Sequence, residues 1–515
     1  MSFFKNSKNE KIKDKATGQS VKQFFIAVFS VLLLALVINI AITNNAYSCF
    51  NPLFVLPLTV FIALVLIYIY RRIDKYSDII QKHFTKLLGA LLVIILAAQI
   101  VVGLHLRFTP IYDMGSIYFG GLTLAETGEL GKYTEYFGMF SNNLGGLGVF
   151  TALAWFCKLF AIEDLYAVAV VFNSLSLCAG LGCAALSARK LLGTPAAIFS
   201  LVAVMLLPSF YTFGATIYTD VLSLPFAACS LWAYLCAKQE GGLCKRTVCA
   251  IACGVLLAIG ASIKGTVAIL VLAYAIDLLL SGIKKHFIAI SLVPVSITCI
   301  LLISMLLSGV VPKDVAYQKG IPWTHWVAMS AHGIGTYNGQ DYADAKARPN
   351  KDARIEADKE IISRRYQELG IMGSLRLWKD KTVRNFGNGT FSTSDFLDDN
   401  PAQYGLLQKT VLPNGEYYSL YANLSQAVFL AILLLAAIGV FFSMKDTVSF
   451  LPLLAVAGLM LFLFFWEASA RYVTNFFPFM LLAGVASVKK IALYLDNRSN
   501  GSKKHISRKE RNVIG

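Results

Sequence analysis

Apolar and polar positions in this chain switch over stretches of about 20 residues, the length an α-helix needs to cross a bilayer. Apolar runs at 24–42, 53–70, 87–106, 165–187, 195–213, 221–237, 248–262, 266–280, 287–310, 426–442, 447–465 and 475–488 each read as a transmembrane helix. The pattern predicts an all-α polytopic integral membrane protein with about 12 spans, between 11 and 13. One further run, 144–160, is short and upsets the alternation of loops, so it is read as a helix lying partly in the membrane interface.

The polar stretches between the runs divide the chain. A basic tail, 1–21, is expected to be disordered and precedes a transmembrane region, 22–310, whose first large loop is 107–143. A long hydrophilic loop domain follows at 311–424, then transmembrane helices at 425–488 and a second basic tail at 489–515. Helical patterning recurs at 114–126, 352–368 and 373–385, so the loops are expected to carry short helices.

Composition agrees with a membrane solvent: 57% of residues are hydrophobic and only 15% charged. The formal net charge of +16 invites a nucleic-acid reading. Its placement answers that. The positives gather in the tails, at Arg71-Arg72 with Lys75, and at Lys284-Lys285, the loops alternation puts on one side. That is the positive-inside bias, and contact with anionic membrane lipids follows from it, while no nucleic-acid partner is expected. It predicts a multi-pass cell-membrane protein with both termini cytoplasmic and with 107–143 and 311–424 extracytoplasmic. The first 20 residues are polar and give no cleavable signal peptide. Ten cysteines, nearly all inside apolar runs and without ligand spacing, read as packing residues; Cys49 stands in a short outer turn.

Five charged groups fall at outer corners: Asp113, Asp220, Lys264, Glu467 and Arg471. Ionisable groups at the edge of hydrocarbon usually face a cavity, a partner or a pathway, although a rim charge can also simply snorkel into water. Asp220 precedes a span and is placed at a helix N-terminus, where it either serves the site or caps the helix. Lys264 interrupts two apolar runs at a tight turn. The i,i+4 spacing of Glu467 and Arg471 places them on one helical face, as a structural pair or as a phosphate grip. A carboxylate that takes a proton from an acceptor hydroxyl, with cations that stabilise a departing phosphate, is the minimum for glycosyl transfer from a lipid-linked donor. Asp113 and Asp220 could alternatively chelate a divalent cation.

At these residues the chain resembles the GT-C superfamily of polytopic glycosyltransferases, near the bacterial branch of protein mannosyltransferases and lipid A aminoarabinose transferases. The resemblance covers most of 87–490 and rests on Tyr112-Asp113 with Tyr118, Tyr218-Thr219-Asp220 with Pro225, Ile263-Lys264-Gly265, and Glu467, Arg471 and Tyr472 with Pro478. It implies Asp113 as general base, Asp220 as an orienting or metal-linked partner, and Lys264 and Arg471 on the donor phosphate. Tyr112, Tyr118, Glu467 and Tyr472 would line the substrate site. The reaction it implies is inverting, on the outer face, with a polyprenyl phosphate leaving. The chain departs from the family where Met114 and Gly115 follow Asp113 in place of a second acid. It also has no large soluble domain after Arg471, so transfer of oligosaccharide to protein is not expected.

In the loop domain, Trp323 and Trp326 flank His325 and either stack on a sugar or seat the loop on the bilayer. His325 and His332 read as loop residues rather than metal ligands. The leading reading is thus a glycosyltransferase moving a monosaccharide from a polyprenyl-phosphate donor to a cell-envelope acceptor, either a teichoic acid, a wall polysaccharide or a glycolipid. The alternative is a transporter or flippase of lipid-linked saccharides, which would carry its charges near the midplane rather than on one rim. A structural scaffold would leave the rim carboxylates unexplained.

Overall fold

The computed structural model describes residues 2–43, 51–238, 242–281, 286–398, 400–443 and 446–511, with side chains from 17 to 498 apart from 286–291. The Asn44-Asn45 turn, Cys49 and Lys284-Lys285 lie outside the described residues. Helices make up almost all of the rest. Among the described residues the one β feature is an isolated bridge between Phe108 and Pro401.

Among the described residues, eight helices are long and apolar enough to cross a membrane: Thr17–Ile42, Pro52–Lys75, Phe84–His105, Leu165–Leu192, Thr219–Lys238, Leu243–Ile263, Tyr418–Phe441 and Ala470–Arg498. A ninth candidate, Leu292–Ser308, bends by 99° into Lys313–Ser330. Three more apolar helices, Thr194–Met205, Gly265–Leu279 and Phe450–Phe465, are shorter than a full span. These helices cover most of the runs read from the sequence, but the helix expected over 195–213 stops at Met205, where the chain breaks at Pro208, and length alone qualifies eight or nine as spans. The basic tail expected to be disordered is instead continuous with the first span, in a helix Ser2–Ile42. Its lysines and glutamate are good helix formers and no proline interrupts them.

Ion pairs mark the two ends of the bundle. At one end Lys22 and Lys238 both pair with Asp277, which also accepts from the Tyr234 hydroxyl at 2.5 Å. Arg71 with Asp496 and Lys490 with Asp446 stand at the same end. The far end carries Arg107 with Asp164 and Lys264 with Asp220. All of the loop domain joins the bundle at that second end, because Leu292–Ser308 leads into it and Tyr418–Ile438 leaves it.

The helix Leu144–Leu159 begins and finishes at this second end. Just before it, Asn143 donates to Tyr136 beside Asp113; just after it, Asp164 pairs with Arg107. It therefore lies against the bundle rather than through it, as its length suggested, with Trp155, Phe156 and Leu159 exposed. Two glycines let its first turn seat. A Cβ on Gly145 would stand 1.9 Å from the Ser262 carbonyl oxygen, and one on Gly146 would meet Ile117 and Thr219 at 3.1 Å. Gly145→Ala is therefore expected to push Leu144–Leu159 off the turn that carries Lys264. The cost should be about 1–3 kcal/mol, as for other overpacked sites, read as a lower thermal unfolding midpoint in detergent. An unchanged midpoint would mean that this approach is not tight.

The loop domain holds short helices at Lys313–Lys319, Trp323–Ser330, Gly339–Ala347, Thr393–Leu397 and Leu406–Val411, around the long helix Lys351–Phe386. Asn350 caps that helix by accepting from Ala353 N at 2.9 Å. The two helical stretches expected at 352–368 and 373–385 are its halves, kinked at Gly370 with φ 57° and ψ −168°. Only glycine adopts that backbone freely. The C-terminal half lies on the end of Phe450–Phe465, where Trp378 stacks on Phe464 at 5.2 Å and 12°.

Candidate active site

Asp113 stands in the first turn of the helix Tyr112–Thr127, half-buried, just after the left-handed Tyr112 at φ 50°. A non-glycine residue in that region is strained and persists only where its surroundings fix it. Here Gly115 packs under the Pro110 carbonyl, where a Cβ would come within 2.7 Å of the oxygen. The carboxylate accepts from the Tyr136 hydroxyl at 2.8 Å and the Tyr218 hydroxyl at 3.2 Å. Asn143 donates to Tyr136 at 2.7 Å in turn. Burial, then the Asp113 charge, pushes the Tyr136 phenol far above its ordinary range, so it remains a donor.

Tyr218 joins this carboxylate to a second group of charges. It ends the irregular stretch between Thr212 and the helix Thr219–Lys238. Non-helical backbone inside a bundle must find partners. Asn173 supplies them, donating to the Phe213 carbonyl at 2.8 Å and the Gly214 carbonyl at 3.2 Å. With its hydroxyl on Asp113, Tyr218 presents its ring to Arg471 at 5.3 Å and to Lys264 at 5.9 Å.

Asp220 follows at the helix N-terminus, fully buried, where the macrodipole favours its charge. Lys264 Nζ lies 2.8 Å from its Oδ1, and Arg471 Nε lies 3.9 Å from its Oδ2. Burial draws the Lys264 ammonium below the usual lysine range, with Asp220 pulling it back up. Lys264 also stands over the Tyr472 ring at 4.5 Å, and Arg471 over Phe396 at 5.6 Å. The Tyr472 hydroxyl donates to Glu467 at 2.9 Å and accepts from Arg471 at 3.3 Å. Asn475 fastens the three contributing segments, donating to Ser223 at 3.2 Å and Thr266 at 2.8 Å.

The shared helical face expected for Glu467 and Arg471 is not formed. Trp466 and Ser469 are extended, and the 3-10 helix begins only at Ala470. The two side chains meet instead through the Tyr472 hydroxyl.

Of the residues singled out from sequence, Asp113, Asp220, Lys264, Glu467, Arg471 and Tyr472 converge. Tyr112 lies beside them, 80% exposed. Tyr118 packs away from them, its ring against Phe150 at 5.3 Å. Trp323 is 67% exposed, whereas His325 is buried 3.9 Å from Asp358. Neither joins the cluster, but Trp326 stacks on Trp466 at 5.5 Å, next to Glu467.

Residues that sequence reading missed are Tyr136, Asn143, Asn475, Tyr337 and Asp395. Tyr337, exposed on the loop domain, feels the charges of both Glu467 and Asp113. Asp395 is exposed among buried neighbours, yet burial raises its carboxyl above the usual range while Ser392 and Arg384 draw it back. The Arg471 charge also draws it down. Next to Asp395, Phe396 lies against Tyr218 at 5.3 Å, tilted by 46°; an aromatic next to an acid in a polar loop was the findable signal.

A divalent cation shared by Asp113 and Asp220 does not fit this donor set. Asp113 accepts from two tyrosines, and Asp220 already faces an ammonium and a guanidinium. Among the described residues no group of three or more His, Cys, Asp or Glu is placed to hold a metal.

Several known proteins are similar to this chain. The crystal structure of ArnT from Cupriavidus metallidurans bound to undecaprenyl phosphate shares 11% identity over 78% of this chain and 77% of that one, with a TM-score of 0.37. The archaeal oligosaccharyltransferase AglB from Archaeoglobus fulgidus, in complex with an inhibitory peptide and a dolichol-phosphate, shares 12% identity with a TM-score of 0.39. The match to AglB covers 85% of this chain and 52% of that one, so the chain spans about half its length. No curated protein matches. A family described as conserved hypothetical integral membrane protein matches residues 6–492, nearly the whole chain. The chain belongs to that family of integral membrane proteins.

Proposed function

We propose that this protein is a membrane glycosyltransferase of the GT-C kind, moving a monosaccharide from a polyprenyl-phosphate donor to a cell-envelope acceptor on the outer face. The observation that carries this is the unsatisfied polarity around Arg471. Its Nε is buried with no hydrogen-bond partner, and the Asp220 oxygen facing it is 3.9 Å away. Buried donors are normally satisfied, and a guanidinium with a free edge beside an ammonium is suited to a phosphate. Undecaprenyl phosphate and dolichol-phosphate, bound in the two similar structures, are lipids of this class.

The chemistry then divides between the two ends of Tyr218. An acceptor hydroxyl oxygen attacks the anomeric carbon and gives its proton to Asp113. The bond from that carbon to the phosphate oxygen breaks, and its electron pair leaves with the polyprenyl phosphate. Lys264 and Arg471 offset the charge gathering on that phosphate. One base and one leaving group on opposite sides give inversion. The outer-face assignment rests on the lysines and arginines at the opposite end of the bundle, where the positive-inside bias places the cytoplasm.

Cells lacking the protein are expected to lose one sugar from an envelope polymer such as a teichoic acid, wall polysaccharide or glycolipid. The corresponding lipid-linked donor should accumulate. Glycan composition and lipid-linked intermediates are measured together; an unaltered envelope with no accumulation overturns the reading.

A further inference from the structure

Lys381 is a charged side chain of the loop domain buried against the end of the bundle. It has no exposed surface, although the sequence around it, Lys379-Asp380-Lys381, reads as a solvated helix face. Its Nζ donates to the Phe464 carbonyl at 2.7 Å, at the C-terminal end of Phe450–Phe465. A cation at that end meets the negative pole of the helix and one of its unpaired carbonyls. Its stem is held as closely. Gly335, at φ 77°, packs so tightly that a Cβ there would come within 2.7–2.8 Å of three Lys381 carbons.

The same residues grip the extended segment that follows. Gly335 O accepts from Ala468 N at 2.6 Å, Asn385 Oδ1 accepts from Ser469 N at 2.8 Å, and Ser330 donates to the Phe465 carbonyl at 3.0 Å. Glu467 lies between these anchors, and it is the charged group that acts on Lys381. From Glu467 the bonds run through the Tyr472 hydroxyl to Arg471.

We infer that Lys381 is a positioning residue for the phosphate-binding cluster: it fixes the Trp466–Ser469 segment and so, through Glu467, orients Tyr472 and Arg471. This rests on the lipid-phosphate reading of the cluster. Lys381 is not a catalytic residue, since it touches none of the reacting groups.

The arrangement makes the segment sensitive to pH. Burial draws the Lys381 ammonium down from 10.5 to about 7, while Glu467 opposes the shift. A lowered lysine is charged below its folded value and neutral above it, so the charge beside Glu467 is present in mild acid and lost as pH rises through about 7. For stability the same group acts in the opposite sense. Between about 7 and 10.5 the unfolded chain binds the extra proton, so stability rises with pH across that window.

The test uses the full chain in lipid nanodiscs, with undecaprenyl phosphate as the probe and its affinity measured from pH 5.5 to 9. Lys381→Met is expected to bind about tenfold more weakly than wild type near pH 6, the worth of one charge-assisted bond, with the gap closing towards pH 9. The lipid's own ionisation is common to both proteins, so the ratio isolates the lysine. A ratio that stays constant with pH, or equals one throughout, overturns the inference alone. If wild type itself does not bind the lipid at any pH, the lipid-phosphate reading falls and the inference with it. Should Lys381→Met fail to fold, Glu467→Gln reads the same coupling. Removing the carboxylate through which the lysine acts should flatten the pH dependence of lipid binding, and an unchanged pH dependence overturns the inference.

Discussion

Asp113→Asn is expected to reduce sugar transfer by about a thousandfold or more while leaving donor binding within a few-fold of wild type. The change removes the proton acceptor and little else. An amide is nearly isosteric with the carboxylate, and its oxygen can still accept from Tyr136 or Tyr218, which hold the residue at 2.8 Å and 3.2 Å. The phosphate-binding groups belong to other segments and should be undisturbed. Purified protein in liposomes, supplied with extracts of lipid-linked sugars and envelope acceptor, gives the rate; undecaprenyl phosphate binding gives the control. A variant with full transfer activity would remove Asp113 as base. It would favour the saccharide-transporter reading, in which a rim carboxylate has no chemical step to perform.

The second large effect is on stability. Lys264→Met should cost about 3–5 kcal/mol, because it leaves Asp220 as a buried charge with its nearest partner gone. The remaining cation, Arg471, is 3.9 Å away and without the geometry of a hydrogen bond. The sign of the cost can be checked internally. Lys264→Met combined with Asp220→Asn should recover most of the loss, since a neutral amide needs no counter-charge. Unfolding midpoints of the two single variants and the double variant decide it. If Lys264→Met alone unfolds like wild type, the pair is not what holds Asp220 in place. Lipid-phosphate binding should fall in Lys264→Met and stay low in the double variant, which separates the role of the lysine in the fold from its role in the site.

Much of the site was legible because its principal charges interrupt apolar runs. Asp113, Asp220, Lys264 and Arg471 each follow or split a hydrophobic stretch, and a charge there has few reasons to exist. Polar residues in polar surroundings carry no such mark. Tyr136 and Asn143 sit in an ordinary loop, and nothing local says that one supports Asp113 and the other supports the first. Asn475 looks like a polar start to a span, yet it reaches Ser223 and Thr266, each more than 200 positions away along the chain. The Glu467 and Arg471 spacing misled for a related reason. Four residues apart means one face only on a helix, and the loop domain's anchors at Gly335 and Asn385 hold 466–469 extended.

The amino-acid sequence by itself determined that the chain is built of long apolar helices and which charged residues interrupt them. Those are local matters: an apolar run of sufficient length must satisfy its backbone internally once it leaves water, and helix is the way a single segment does so. Only the tertiary structure decided which charges touch. Asp113 reaches Tyr218 across 105 positions, Lys381 reaches Phe464 across 83, and the pairing of Lys264 with Asp220 depends on how two helices pack at their ends. Such contacts form because buried polar groups must find partners wherever packing brings one near, and that choice is made by the whole assembly of helices rather than by any stretch of sequence.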